Sequence, residues 1–154
     1  MGKKKDIKVL LVDDEMAFVD TLAQRLKMRE LNVSTVYDGA QALSYIKRVE
    51  PDVMVLDLKM PGLHGIEVLR EVKKDYPQMQ VIILTGHGTD RDAEEAKRLG
   101  GFDFMRKPAD IDNLVRKIKE AYNEKIERMM TAIAFAEEGE LDTAQKIITK
   151  QEEE

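Results

Sequence analysis

Short aliphatic runs recurring at regular intervals constrain the fold of this 154-residue chain more than any other feature. Ile7-Lys8-Val9-Leu10-Leu11-Val12, Val53-Met54-Val55-Leu56 and Val81-Ile82-Ile83-Leu84 are strand-length and rich in Val, Ile and Leu on both faces. Strands buried between two layers have that pattern. With two further runs, the expected strands are 7–12, 32–36, 53–57, 81–85 and 102–105. Amphipathic, helix-like stretches at about 15–30, 39–48, 65–75 and 90–99 separate them. Connections long enough to hold a helix favour parallel pairing with right-handed crossovers. The expectation is an α/β chain with a doubly wound five-stranded parallel sheet.

Bulk properties narrow the function. Apolar residues make up 43% of the chain, so it can build a core and is not disordered as a whole. The absence of cysteine excludes disulfides, thiolate metal sites and cysteine nucleophiles, and it fits a cytoplasmic setting. No apolar run approaches the ~20 residues of a bilayer span, so membrane insertion is not expected. Lys3-Lys4-Lys5 leads into Asp6 and a strand rather than a signal sequence. Met1-Gly2 begins like a myristoylation site, but Asp6 stands where Ser or Thr is required. The net charge of −5 lies wholly in residues 137–154, with seven acids against two bases, and the rest is neutral. A neutral body with an acidic end offers no basic face, so no nucleic-acid partner is expected.

The polar residues that close the apolar runs point to chemistry. Asp13-Asp14 follow the first, Asp57 the third, Thr85 the fourth, and Lys107-Pro108 the fifth. In an open parallel sheet these positions share the carboxyl edge, where such sheets bind ligands. Three carboxylates, a hydroxyl and an ammonium suit a magnesium ion and a phosphoryl group. Each residue alone has a plainer reading. Asp13-Asp14 suit a helix cap, Asp57 a turn, Thr85 an ordinary strand and Lys107 an ordinary surface.

Taken together, Val12-Asp13-Asp14-Glu15, Leu56-Asp57-Leu58-Lys59-Met60-Pro61-Gly62, Leu84-Thr85-Gly86 and Lys107-Pro108 resemble the receiver domain of bacterial two-component response regulators. The resemblance covers about residues 6–120. It implies a flavodoxin-like strand order 2-1-3-4-5. It implies that Asp57 accepts a phosphoryl group from a sensor histidine kinase or a histidine phosphotransfer protein. Mg2+ would be held by Asp13, Asp14, Asp57 and the backbone carbonyl of Lys59, while Lys107 and Thr85 engage phosphoryl oxygens. Such a protein catalyses its own phosphorylation and dephosphorylation, but it signals rather than metabolises. Thr85 and Phe104 would form the switch, although Phe104 lacks a tyrosine hydroxyl and also suits a plain core position. The output face would span about residues 90–120. Lys59 and His87 would flank the path of an attacking water, either shielding the acyl phosphate or orienting the water. His64 stands where many relatives carry an acid. Two alternatives remain: a phosphorelay intermediate serving another histidine, and a dimerisation module indifferent to phosphorylation.

The C-terminus adds something to that pattern. Ile111, Val115, Ile118, Tyr122, Ile126, Met129, Ile133 and Ala136 recur at spacings of three and four, one apolar stripe on a helix from about 110 to 137. Such a helix is roughly 40 Å long at 1.5 Å per residue, more than a small sheet covers. Glu138-Gly139-Glu140 breaks it, and Leu141, Ala144, Ile147 and Ile148 mark a second short helix. Residues 1–122 are thus expected to form the receiver and 123–154 a helical extension, with Gln151–Glu154 as a frayed tail. The segment is similar to a tetratricopeptide-type hairpin, which cannot bury its face alone. The plain reading is that the second helix covers the first within one chain; the expectation here is that the hairpin also contacts a second protomer, as a homodimer, or a partner protein. The hairpin is too short and acidic for a DNA-binding output domain.

Overall fold

A computed structural model describes residues 6–149. The Met1-Gly2 pair, the lysine run at 3–5 and the tail at 151–154 lie outside the described residues. The order of elements is β1 (Lys8–Val12), α1 (Met16–Lys27), β2 (Asn32–Val36), α2 (Gly39–Arg48), β3 (Val53–Leu56) and α3 (Gly65–Asp75). It continues through β4 (Gln80–Thr85), α4 (Asp90–Arg98), β5 (Asp103–Arg106), α5 (Ile111–Glu137) and α6 (Leu141–Thr149). The strands form one parallel sheet in the order β2-β1-β3-β4-β5, the expected doubly wound arrangement.

Strand alternation divides the core into two layers. Val9, Leu11, Val53, Val55, Ile82 and Leu84 pack towards α1 and α5. Leu10, Val12, Met54, Leu56, Val81 and Ile83 point the other way, into the layer with α2, α3 and α4. Burial on both faces explains why these strands read as continuous aliphatic runs. Complete burial of one such side chain contributes about 1.5–3 kcal/mol. Met54, Met60 and Met105 are core residues, as their sequence context suggests.

Local chemistry sets the helix starts. Asp38 caps α2 by accepting the Gln41 N–H at 2.8 Å, and Asp110 caps α5 by accepting the Asn113 N–H at 3.0 Å. Thr89 and Asp92 form a reciprocal capping box on α4. The cap of α1 departs from the sequence reading. Its N-cap position is Glu15, whose side chain makes no capping bond, while Asp13 Oδ1 accepts the Glu15 N–H at 2.9 Å.

The extension forms the expected helical hairpin, and the structure decides which side of it is covered. α6 folds back on α5 after Gly139, whose φ of 84° is costly for any side chain. Ala132 and Ala144 are buried, so the helices meet over small residues. The stripe does not stay buried, however: Met129 and Ile133 are 36% and 52% exposed. Beyond Tyr122 burial continues only on the line that Ala132 shares with Leu114 and Ala121, about 80° from the centre of the stripe at 100° per residue. Periodicity records which side of a helix is apolar, but the approach of α6 decides which side is covered. Three contacts tie α5 and α6 to the amino end of the sheet. Gln80 Nε2 donates to the Ala121 carbonyl at 2.9 Å, Lys125 Nζ pairs with Asp52 Oδ1 at 2.6 Å, and Gln78 Nε2 donates to the Ile148 carbonyl.

One close approach links the fold to the carboxyl edge. A Cβ at Gly65 would lie 2.4 Å from the Asp57 carbonyl oxygen and 2.6 Å from Leu58 Cα. Gly65→Ala should therefore displace the turn after β3 and cost about 1–3 kcal/mol in urea unfolding. Stability equal to that of the parent would show that the turn yields freely.

Candidate functional site

Ladder geometry assembles the site. Val12 on β1 pairs with Leu56 on β3, so Asp13 and Asp57 emerge side by side, with the Asp57 N–H donating to the Val12 carbonyl at 3.0 Å. Thr85 on β4 pairs with Arg106 on β5, and the Lys107 N–H donates to the Thr85 carbonyl at 3.0 Å. Asp13 and Asp57 are buried at 4% and 3% exposure, and Asp14 is partly buried. Carboxylate oxygens of Asp13, Asp14 and Asp57 lie within 4.8 Å of one another. Lys107 reaches back across the sheet, its ammonium 2.7 Å from Asp13 Oδ2 and 4.0 Å from Asp57 Oδ2.

Lys107 has two further partners to which the sequence gives no role. Glu15 Oε1 lies 2.5 Å from the ammonium, and the Phe18 ring lies 4.4 Å below it. Glu15 stood inside the Asp13-Asp14-Glu15 motif, and its acidity was the available signal. Phe18 gives none, because the ring reaches the lysine only through the packing of α1 beside α5.

Burial pushes the Asp13 carboxyl above the ordinary aspartate range, and the nearby Asp57 adds to the rise. Hydrogen bonds from Lys107 and the Glu15 N–H oppose this without cancelling it. Burial also works against the Lys107 ammonium, but hydrogen bonds to Asp13 and Glu15 and the charges of Asp13 and Asp57 outweigh it, so its pKa is raised. The Lys107 hydrogen bond holds Glu15 below the usual glutamate range. Both members of the Asp13–Lys107 pair thus move upward. One cation serves a crowd of carboxylates, so the lysine gains attraction while the acid retains its repulsion. The signs for stability follow. Lys107 stabilises the fold fully below its ordinary value of 10.5, and this is lost as pH rises through its raised folded value. The raised Asp13 carboxyl destabilises the fold when ionised, a cost that fades as pH falls through its folded value.

The other expected residues stand around this cluster. Thr85 is fully buried, and its hydroxyl accepts the His87 N–H at 3.3 Å. Phe104 is partly buried: its Cζ would lie 2.5 Å from a Cβ at Gly88, and the Thr85 methyl 2.9 Å from that point. Thr85 and Phe104 therefore adjoin at Gly88, apart from the Lys107–carboxylate contacts. The side chains of Lys59, His64 and His87 are exposed.

The donor set fits a hard divalent cation. Asp57 Oδ1 is buried and accepts no hydrogen bond among the described residues. Such an oxygen, beside two more carboxylates, suits an ion that takes oxygen ligands. Without metal, Asp57→Asn should raise stability at pH 7 by about 1–3 kcal/mol, because it removes one of two buried carboxylates that repel each other. Magnesium should then stabilise the parent more than the variant. A drop in the urea midpoint of the metal-free variant would refute the crowding argument.

Comparison with known proteins places this cluster in context. The family model for the response regulator receiver domain matches residues 9–119. A receiver domain protein from Clostridium thermocellum is 37% identical, with a TM-score of 0.73, and the match covers 77% of this chain and 95% of that one. A CheY-like receiver domain protein from Methanospirillum hungatei JF-1 is 26% identical, with a TM-score of 0.77 and coverage of 80% and 98%. NtrX from Brucella abortus is 30% identical, with a TM-score of 0.77, across 84% of this chain and 30% of that one. The matched segment holds every member of the carboxylate–lysine cluster and ends within α5, and on that evidence the chain belongs to the response regulator receiver domain family.

Proposed function

We propose that this protein receives a phosphoryl group on Asp57 and passes the signal on by changing its contacts with other proteins. One observation carries the reading. Asp57 is buried at the carboxyl edge, between two acids and one ammonium, with an oxygen that accepts no hydrogen bond among the described residues. In the proposed step that carboxylate attacks phosphorus in line. An acyl phosphate O–P bond forms as the P–N bond of a kinase or phosphotransfer phosphohistidine breaks, and the electron pair leaves with the imidazole nitrogen.

Asp13, Asp14 and Asp57, with the Lys59 carbonyl, are the residues that would hold Mg2+. Bound there, the ion supplies positive charge that offsets carboxylate repulsion and the incoming phosphate. Lys107 neutralises a phosphoryl oxygen, for which it must loosen its contacts with Asp13 and Glu15. Thr85 moves to donate its hydroxyl hydrogen to a phosphoryl oxygen, a capacity that the bond it accepts from the His87 N–H leaves free, and Phe104 is the neighbour that responds to that movement. α4 has a single buried residue, Ala96, which suits an element that shifts at small cost. The face of α4, β5 and α5 is therefore the proposed output, and the extension from residue 123 onward offers a second contact to a partner protein or another copy. The protein acts in the cytoplasm as a signalling protein that promotes its own phosphorylation and dephosphorylation. No described helix is long and apolar enough to cross a membrane.

With magnesium and acetyl phosphate, intact-mass spectrometry should detect one phosphoryl adduct, absent in Asp57→Asn. An adduct surviving that change, or none in the parent, rules the proposal out. Lys107→Ala should slow adduct formation by about 10²-fold, as expected when one charge-stabilising group is removed from a transfer site. An unchanged rate would take the lysine out of the chemistry.

A further inference from the structure

Phosphoryl chemistry leaves the α5–α6 hairpin unexplained. Its inner side is occupied by α6 and by the ties to Asp52 and Gln80. Its outer side is apolar. Met129, Met130 and Ile133 are 36%, 62% and 52% exposed, and their i, i+1, i+4 spacing sets them on one side of α5. Leu141, at the start of α6, is 66% exposed. These four fall between residues 129 and 141, whereas the other exposed large hydrophobics, Met16, Met28 and Val49, are scattered through the chain. Single exposed hydrophobics need no explanation, but a cluster on one element does.

The charge around this face has one sign. Glu127, Glu137, Glu138, Glu140 and Asp142 are exposed, and none is ion-paired among the described residues. The one base in that span, Arg128, is committed to Glu124 at 2.6 Å. We propose that this face binds a basic amphipathic helix of another protein. The inference deepens the reading that the hairpin contacts another protein, and it does not depend on phosphoryl transfer at Asp57. A second copy of the chain fits poorly. A two-fold contact sets a patch against itself, so the acidic rim would face an acidic rim. A basic helix satisfies both features. Its apolar stripe packs along Met129, Met130 and Ile133, and its lysines and arginines reach the surrounding carboxylates. Flexible methionines adapt to such a ridge with little strain. The hairpin is anchored at the amino end of the sheet, opposite Asp57, so a phosphodonor and this partner can be bound together.

The full chain is titrated with a fluorescent amphipathic peptide of Leu and Lys, and with a Leu/Glu counterpart, while anisotropy is followed. The basic peptide should bind and the acidic one should not. Met130→Ser with Ile133→Ser should weaken binding by about tenfold or more, as should Glu137→Gln with Glu138→Gln and Glu140→Gln. Met130→Ser alone, at the most exposed of these three hydrophobics, should weaken binding in the same direction with the fold not at risk. No binding by the parent overturns the proposal. So does binding that ignores the apolar changes, since that would be charge attraction alone. A parent that elutes as a dimer, and becomes monomeric in Ile133→Ser, assigns the face to a second copy and also overturns it. The adduct assay at Asp57 reads out separately, so failure of either reading leaves the other measurable.

Discussion

One ammonium group balances the carboxyl edge of this sheet. Lys107 sits 2.7 Å from Asp13, 2.5 Å from Glu15 and 4.0 Å from Asp57. Without it, two buried aspartates would face each other with only the Glu15 N–H, which donates to Asp13, to offset their charge among the described residues. Taking such charges out of water is costly, and removing one partner of a buried pair is usually more damaging than replacing both. The arrangement therefore holds only because β5 delivers a lysine to an edge that β1 and β3 make acidic. The remaining charge deficit is the feature that suits the edge to a cation and to an anion that brings its own cation.

The same sheet isolates that edge from the rest of the chain. Both faces are sealed by aliphatic layers, so the polar residues can emerge only at the strand ends. Gly65 lets α3 begin directly against the Asp57 backbone, with no room for a side chain between them. α4 is held more lightly, by the buried Ala96, by Arg70 on Glu95 and by contacts from Arg106 to Gly88 and Asp90. A rigid β1–β3 edge beside a loosely attached α4 is a workable basis for a switch, because displacement is cheapest where least apolar surface is buried.

The extension uses the opposite end of the sheet. Asp52 accepts the Lys8 N–H on one oxygen and Lys125 on the other, so the long helix is joined to the starts of β1 and β3. Gln80, nearly fully buried, bonds the Ala121 carbonyl. The hairpin is thus a docked part of the body and not a loose tail, and its acidic, methionine-bearing side is held in a fixed place.

Much of this was legible in the residues alone. Five aliphatic runs separated by helix-length segments determine a parallel doubly wound sheet, because only strands buried on both faces are apolar throughout. The residues closing those runs determine the chemical inventory of the edge. Tertiary structure alone decided how the inventory is wired. Lys107 meets Glu15 across 92 positions of sequence, and the Phe18 ring slides beneath it, because strand order and the packing of α1 bring them together. Likewise the stripe on α5 was plain in the sequence, but its buried side turns away from Met129 and Ile133 once α6 packs over Ala132. Periodicity is a property of one helix, whereas burial depends on the neighbour that arrives, and that neighbour is placed by the whole fold.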